Sequence, residues 1–206
     1  MHIKKTEYVV FDVETTGFYP TEGDRIVEIA AVRVRDGKIV DTFESFINPK
    51  RPIPPEAQKI HKITDAVVAD SPSSDAVLPQ LITFIGGACL VGHNIRFDLD
   101  FICYELSLCN RKLNDKTPAI DTLKMARRFM PHIMSHRLSS VAQSFGITIG
   151  ETHRALADVE LTASILSALL DIASKQGIVA FQDLYNEFSV PKPNFQIAEV
   201  NQQFLF

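Results

Sequence analysis

The chain contains no tryptophan, only three cysteines among its 206 residues, and no excess of positive charge. The cysteines, Cys89, Cys103 and Cys109, are odd in number and lack the spacing of a zinc site, which predicts reduced core side chains rather than disulfides or metal ligands. No apolar run approaches the length of about 18 residues that a membrane span needs. The run behind Lys4 and Lys5 is too short for a signal-peptide core. We therefore expect a cytoplasmic protein without membrane association.

Acidic residues outnumber basic ones, because the chain has 25 Asp and Glu residues but only 21 Lys and Arg residues. The formal net charge is therefore −4. This balance excludes nucleic-acid binding through a large overall positive charge, so a polyanion would need a local basic patch or metal ions. Hydrophobic residues make up 46% of the chain, which is enough for one globular domain with a full core.

Alternating and helical patterns follow one another along the chain and predict an α/β fold. Three strands are expected over 5–14, 25–35 and 38–47, with Asp36-Gly37 as a two-residue hairpin turn. Further strands are expected near 88–91 and 119–120, and helices over 74–85, 96–108, 122–129, 138–145 and 154–175. The early strands predict an antiparallel meander, and the later alternation predicts parallel additions to the same sheet.

The end of the sequence differs in character from the rest. Pro191 and Pro193 bracket Lys192, and the residues after 194 mix polar and apolar types without periodicity. We therefore expect a domain over 1–187 and a tail over 188–206.

Two carboxylates stand at the end of the first predicted strand. Asp12 and Glu14 are two residues apart, so they continue the apolar face of Tyr8 and Val10. Buried carboxylates favour a hard cation such as Mg²⁺ as their partner. The alternative is that the strand emerges into solvent here and these are ordinary surface acids.

A second motif, Gly92-His93-Asn94-Ile95-Arg96-Phe97-Asp98, follows a short strand and opens a helix. Asn94 is a good helix cap and Asp98 suits the positive end of a helix, so structure alone explains both. Sites also form at such strand ends, which makes Asp98 a candidate third carboxylate.

A third motif, His153-Arg154-Ala155-Leu156-Ala157-Asp158, begins the long predicted helix. His153 and Asp158 converge only if His153 lies on the loop before the helix. The alternative is a surface histidine and an ordinary acid in the first turns of a helix.

In order and spacing, the three motifs resemble the DEDDh family of 3′-to-5′ exonucleases over residues 5 to about 175. Within the family the chain is most similar to the proofreading epsilon subunit of bacterial DNA polymerase III. The resemblance implies a ribonuclease H-like fold, three layers α/β/α around a mixed five-stranded sheet. It also implies that the family's four carboxylates are Asp12, Glu14, Asp98 and Asp158, and that its histidine is His153.

The resemblance also implies substrate contacts. Glu56 and His61 correspond to residues that contact the terminal nucleotide, although Lys62 stands where a glycine is common. Glu56 is equally well explained as an acid at a helix N-terminus. The remaining matched positions are Thr16, Gly17 and Phe18 around the last base, and Asn94 and Phe97 around the penultimate nucleotide. Phe97 also suits a core position.

The activity implied is hydrolysis of single-stranded or frayed DNA 3′ ends with two divalent ions, Mg²⁺ or Mn²⁺. His153 would act as general base, since the ordinary histidine pKa is about 6.5. Basic residues, Arg127, Arg128, His136 and Arg137, add to polyanion binding or are simply solvated charges. The alternatives are an RNA-trimming enzyme of the same family and a non-catalytic replication scaffold.

Residues 202–206 resemble the short sliding-clamp-binding motif of bacteria. Gln202, Leu205 and Phe206 occupy its Gln, Leu and Phe places, whereas Gln203 stands where Leu is usual. This motif suggests a sliding clamp as partner. The resemblance to the epsilon subunit separately implies a DNA polymerase catalytic subunit as partner. The alternative is an apolar end that folds back on the domain.

Overall fold

The computed structural model describes residues 1–148 and 154–195. Five strands within this part of the chain form one mixed sheet. Its strands are β1 (Tyr8–Thr15), β2 (Ile26–Arg35), β3 (Lys38–Phe46), β4 (Cys89–Gly92) and β5 (Ala119–Asp121). In the order β3-β2-β1-β4-β5, the first three pair antiparallel, and β4 and β5 add in parallel. Asp36 and Gly37 have φ angles of 51° and 73°, as a type I′ hairpin turn requires. The predicted meander with parallel additions is confirmed.

The described residues also form eight α-helices, none of which has the length and apolarity to cross a membrane. They are α1 (Pro55–His61), α2 (Asp65–Val68), α3 (Ser74–Ile85), α4 (Arg96–Leu108), α5 (Thr122–Phe129), α6 (Leu138–Ser144), α7 (Ala155–Lys175) and α8 (Phe181–Phe188). The sequence predicted α3 to α7. It did not predict α2 and α8, and it gave the start of α1 only as the alternative interpretation of Glu56. With four residues, α2 makes a single turn, which is too short to show a period.

Helices cover both faces of the sheet and create two apolar cores. Tyr8 and Val10 of β1 face the core made with α5, α6, α7 and α8. The intervening Val9, Phe11 and Val13 face the core made with α3 and α4. This alternation gives a three-layer α/β/α arrangement and directs the next even-numbered residues of β1 toward α7.

The segment after α8 packs on the domain as far as it is described. Lys192 Nζ donates hydrogen bonds to three backbone carbonyls in the loop before β5, at 2.7, 3.1 and 2.5 Å. The Phe195 ring lies edge-on to Tyr104, with 5.4 Å between the ring centroids. The predicted tail is therefore held against the domain up to residue 195, and residues 196–206 lie outside the described part.

Candidate active site

Three carboxylates converge at the carboxyl end of β1. Asp12 and Glu14 lie two residues apart on this strand and share the face that packs toward α7. Asp158 lies in the first turn of α7. One carboxylate oxygen from each of the three residues lies within 4.8 Å of the others. The structure thus brings together three of the four acids that the sequence placed in one site.

Asp98 approaches the same strand from the other helical layer. β4 pairs with β1 only as far as Val10, so the backbone of β1 beyond that point is open on this side. There the Val13 N–H donates to Asp98 Oδ1 at 3.1 Å. Asp98 lies in the first turn of α4 and is only 4% exposed. Since Val13 stands between Asp12 and Glu14, this hydrogen bond fixes the fourth acid beside the others.

Burial and mutual repulsion disfavour simultaneous ionisation of these acids. Burial is the largest cause that raises the pKa of Asp12 well above its ordinary range, and its acidic neighbours raise it further. Burial, followed by the charges of Asp158 and Glu28, raises the pKa of Glu14 to about 8. Burial also raises the pKa of Asp98 to about 8, although a backbone N–H opposes the shift. An all-oxygen cluster with these pKa values fits divalent cations, because hard cations bind carboxylates and offset their repulsion.

A buried ion pair that the sequence analysis missed anchors α7 beside this cluster. Glu28 on β2 is fully buried and pairs across the sheet with Glu14. Its carboxylate accepts hydrogen bonds from Arg154 Nη2 at 2.8 Å and from the Ala155 N–H at 3.1 Å. These two residues begin α7, so Glu28 holds the helix that carries Asp158. The available signal was a lone acid within an apolar strand.

The loop after β1 presents an aromatic surface next to the acids. Thr16 Oγ1 donates to Asp24 Oδ1 at 3.1 Å, and any side chain at Gly17 would collide with the same carboxylate. Phe18 is 69% exposed, and its ring centroid lies 6.5 Å from that of the half-buried Phe97. The two rings can stack on nucleotide bases, as the resemblance implies.

Asn94 does not cap α4, in contrast to one of the two sequence interpretations. Ile95 occupies the cap position without a side-chain hydrogen bond, and Asn94 has the left-handed φ of 71°. The Asn94 N–H donates to Asp121 Oδ1 at 2.9 Å, another contact that the sequence analysis missed. The residue is exposed, so its side-chain amide is accessible to a ligand.

Of the two candidate residues on α1, only one lies at the surface. Glu56 is exposed in the first turn, whereas His61 is 2% exposed. His61 Nδ1 accepts the Ile63 N–H at 3.0 Å, and its Nε2 has no hydrogen-bond partner among the described residues. Lys62 has a φ of 62° and so adopts the left-handed conformation that explains the glycine common at this place. The structure therefore does not bring His61 to the surface of the site.

Four predicted residues lie outside the described part of the chain. They are His153, Gln202, Leu205 and Phe206. Their roles as general base and as partner-binding residues stay predictions.

Comparison with known proteins identifies relatives of the chain. Residues 9–166 match the protein family described as Exonuclease, RNase_T. The chain is 42% identical over 160 residues to a PolC-type DNA polymerase III of Clostridium perfringens. This alignment covers 78% of this chain and 11% of that protein. It is 37% identical over 189 residues to a DNA polymerase III subunit epsilon-like protein of Rhodobacter capsulatus. This alignment covers 90% of this chain and 27% of that protein. The chain thus spans a small part of these curated relatives.

A solved exonuclease structure resembles this chain over nearly the whole length of the solved chain. Exonuclease X in complex with 5′ overhanging duplex DNA has a TM-score of 0.69 and 31% identity, and the match covers 87% of this chain and 98% of that one. The expected ribonuclease H-like fold is confirmed. Together with the family match, this likeness confirms the resemblance drawn from the three motifs, and the chain belongs to the RNase_T family of exonucleases.

Proposed function

We propose that the chain is a metal-dependent 3′-to-5′ exonuclease that hydrolyses single-stranded or frayed DNA 3′ ends to nucleoside 5′-monophosphates. The main support is the convergence of four carboxylates at the end of β1 in a chain of an exonuclease family. Curated relatives are DNA polymerase III proteins, which supports DNA as substrate, a polymerase catalytic subunit as partner, and a role in replication proofreading or repair.

The acids divide into two groups by their position. Asp12, Glu14 and Asp158 would hold one divalent ion, Mg²⁺ or Mn²⁺, and Asp98 would lie in the shell of a second. Bound there, such ions supply charge stabilisation to the phosphodiester and lower the pKa of water. The chain contributes the fixed positions of the donors, since β1 holds two acids and the Val13 N–H holds a third.

The remaining roles follow from the chemistry of the side chains. His153 would accept the proton of the attacking water, because the ordinary histidine pKa of about 6.5 suits a base near neutral pH. Attack on phosphorus breaks its bond to the 3′ oxygen, so the released nucleotide keeps its 5′-phosphate. Phe18 and Phe97 would stack on the last bases, which must first separate from a complementary strand.

The test is digestion of DNA and RNA oligonucleotides of equal sequence, labelled at the 5′ end, with Mg²⁺, Mn²⁺ or EDTA. A 3′-to-5′ exonuclease produces a ladder that shortens one nucleotide at a time, whereas the opposite direction releases labelled mononucleotide at once. We expect a DNA ladder that requires the metal. Asp12→Asn should slow it roughly 10³-fold or more, since several kcal/mol of metal-dependent stabilisation would be lost.

Asp70→Asn is the matched control, because Asp70 is exposed on the surface and lies outside the acidic cluster. Activity that survives EDTA, or wild-type rates in Asp12→Asn, would contradict the metal site. Faster digestion of RNA than of DNA would instead identify an RNA-trimming enzyme. Wild-type protein that digests neither would favour the non-catalytic scaffold.

A further inference from the structure

A groove with basic walls opens at the loop between β4 and α4, the helix whose first turn carries Asp98. It is lined by His93 and Asn94 after β4, by Arg127 on α5, and by His136 and Arg137 just before α6, together with two leucines. None of the described residues that line it is acidic. We call this feature the basic groove.

The two arginines of the basic groove differ from most other arginines of the chain in their ion pairing. Seven of the ten arginines form salt bridges with carboxylates in the described part of the protein. Arg127 and Arg137 form none there, and both are exposed. The third such residue, Arg111, lies elsewhere, against the segment that carries Lys192. Two unpaired guanidinium groups on one groove attract an anionic ligand, since an exposed arginine keeps its full capacity for phosphate.

The walls of the basic groove are tied together by His93. Its Nε2 lies 2.8 Å from the His136 carbonyl oxygen and its Nδ1 lies 3.0 Å from Thr122 Oγ1. Burial is the main cause that lowers the pKa of His93, so the ring is neutral near pH 7. Because a carbonyl only accepts, Nε2 carries the proton of the neutral ring. Through His93, the loop after β4 is therefore hydrogen-bonded to the loop before α6 and to the first residue of α5.

We propose that the basic groove binds the phosphodiester backbone of single-stranded nucleic acid on the 5′ side of the last two nucleotides. This inference rests on the proposed function. Asn94 links the two regions, because it lines the groove and lies four residues before Asp98. A strand whose 3′ end lies at the acids and whose penultimate nucleotide contacts Asn94, as the resemblance implies, would continue into the groove. There the two guanidinium groups can each pair with a phosphate.

The experiment compares three proteins. They are the wild type, a double variant that carries both Arg127→Gln and Arg137→Gln, and the single variant Arg111→Gln as control. The control removes one positive charge, half the change of the double variant, from an exposed arginine outside the groove that forms no salt bridge among the described residues. The measured quantity is kcat/KM on DNA and RNA oligonucleotides of two, four and eight nucleotides, at several salt concentrations. We expect about a tenfold loss on the eight-nucleotide substrate and a smaller loss on the dinucleotide. The slope of log kcat/KM against log salt should become shallower by about 1.4, the value for two lost phosphate contacts on a single strand.

The outcomes separate the possible ligands. If the double variant keeps the length dependence and salt slope of the wild type, the proposal is overturned. It is also overturned if the loss is equal at all lengths and added inorganic phosphate competes only with the wild type, since the groove then holds a free phosphate. Failure of the proposed function would show instead as wild-type protein without hydrolysis. In that case, fluorescence anisotropy of the eight-nucleotide strand with wild type and double variant still decides whether the groove binds it.

Discussion

Ionisation of the clustered acids is the residue-scale property on which the site depends. The pKa values of Glu14 and Asp98 are raised to about 8 in the folded chain, mainly by burial. The folded state therefore binds protons more strongly than the unfolded state does. The resulting stabilisation is complete below the unfolded pKa, which is about 4, and is lost as pH rises through the folded pKa.

We predict that, in EDTA, the melting temperature falls by a few degrees between about pH 5 and about pH 8.5 because these acids lose their protons. Mg²⁺ or Mn²⁺ should restore it at the higher pH, since a ligand that binds only the folded state stabilises it. Calorimetry with and without metal measures both effects.

Asp98→Asn is the informative variant for this pH dependence. The amide keeps an oxygen that can accept the Val13 N–H but removes one titrating group, so the decline with pH should become shallower. A melting temperature that rises with pH in EDTA would contradict the assignment of these pKa shifts, and so would a wild-type profile in Asp98→Asn.

Whether a site residue could be predicted depends on how far apart in sequence it and its contact partners are. Asp12 and Glu14 could be placed together because strand alternation assigns them to one face. Glu28 could not be connected with α7, because its partner Arg154 is 126 positions away and no local pattern joins them. His61 matched a family position, yet its burial depends on tertiary packing, which brings its ring near the backbone of Thr15 at the end of β1.

At the scale of elements, the Glu28 carboxylate fixes the first residues of α7 against the sheet, in addition to the apolar core beneath the helix. It accepts from the backbone at the start of the helix, where negative charge also interacts favourably with the helix dipole. Arg154 completes the pair and lies over the Phe46 ring, with 5.3 Å between its Cζ and the ring centroid. The position of Asp158 relative to β1 therefore depends on an interaction between β2 and the first residues of the helix.

We predict that Glu28→Gln lowers stability by about 1.5–3 kcal/mol, because hydrogen bonds to a charged group are lost. We also expect a 10–100-fold loss in metal affinity or activity, the usual effect of residues that orient metal ligands. The Mg²⁺ concentration for half-maximal activity distinguishes a positioning role from simple destabilisation.

Glu105→Gln provides a matched control for this variant. Glu105 is likewise fully buried, and it accepts from Arg25 Nη2 at 2.6 Å and from the Ile26 N–H at 3.1 Å, but it is not among the clustered acids. It should show a similar loss of stability with an unchanged Mg²⁺ requirement. An equal shift of that requirement in both variants would reduce Glu28 to a structural residue.

The strands and the helices from α3 to α7 could be predicted from the sequence because their apolar residues recur at the period of a strand or of a helix. The short α8 and the packing of residues 189–195 could not, because they depend on contacts distant in sequence. Lys192 reaches carbonyls 75 to 78 positions earlier, in the loop before β5. A segment bracketed by prolines thus resembles a tail in sequence although the fold holds it.

Charge is distributed unevenly over the whole molecule, and this distribution reconciles a net charge of −4 with a polyanionic substrate. Four acids are gathered where cations would bind, and the basic groove is lined by two arginines that form no salt bridge within residues 1–148 and 154–195. Overall composition could not reveal this separation, because α5 and the loop before α6 come together with β4 only in the fold.

The last prediction concerns attachment of the whole domain to a partner. Phe195 is held against Tyr104, so residues 196–206 start from a fixed point and span at most about 36–40 Å when extended. We predict that a peptide of residues 194–206 binds the sliding clamp of its own organism. Short peptides of this kind place apolar side chains in a pocket, and the tether would raise the local concentration of the nuclease at primer ends.

Titration calorimetry of the full chain with the clamp measures this attachment. Leu205→Ala combined with Phe206→Ala should abolish binding, whereas Phe204→Ala, which removes an aromatic ring from a position the motif leaves open, should retain it. Hydrolysis of short oligonucleotides should persist in both variants, because the acids at β1 are unaltered. If the intact protein does not bind the clamp, the motif arises by chance. If the double variant instead lowers the melting temperature of the domain, Leu205 and Phe206 stabilise the fold, and the clamp is not their partner.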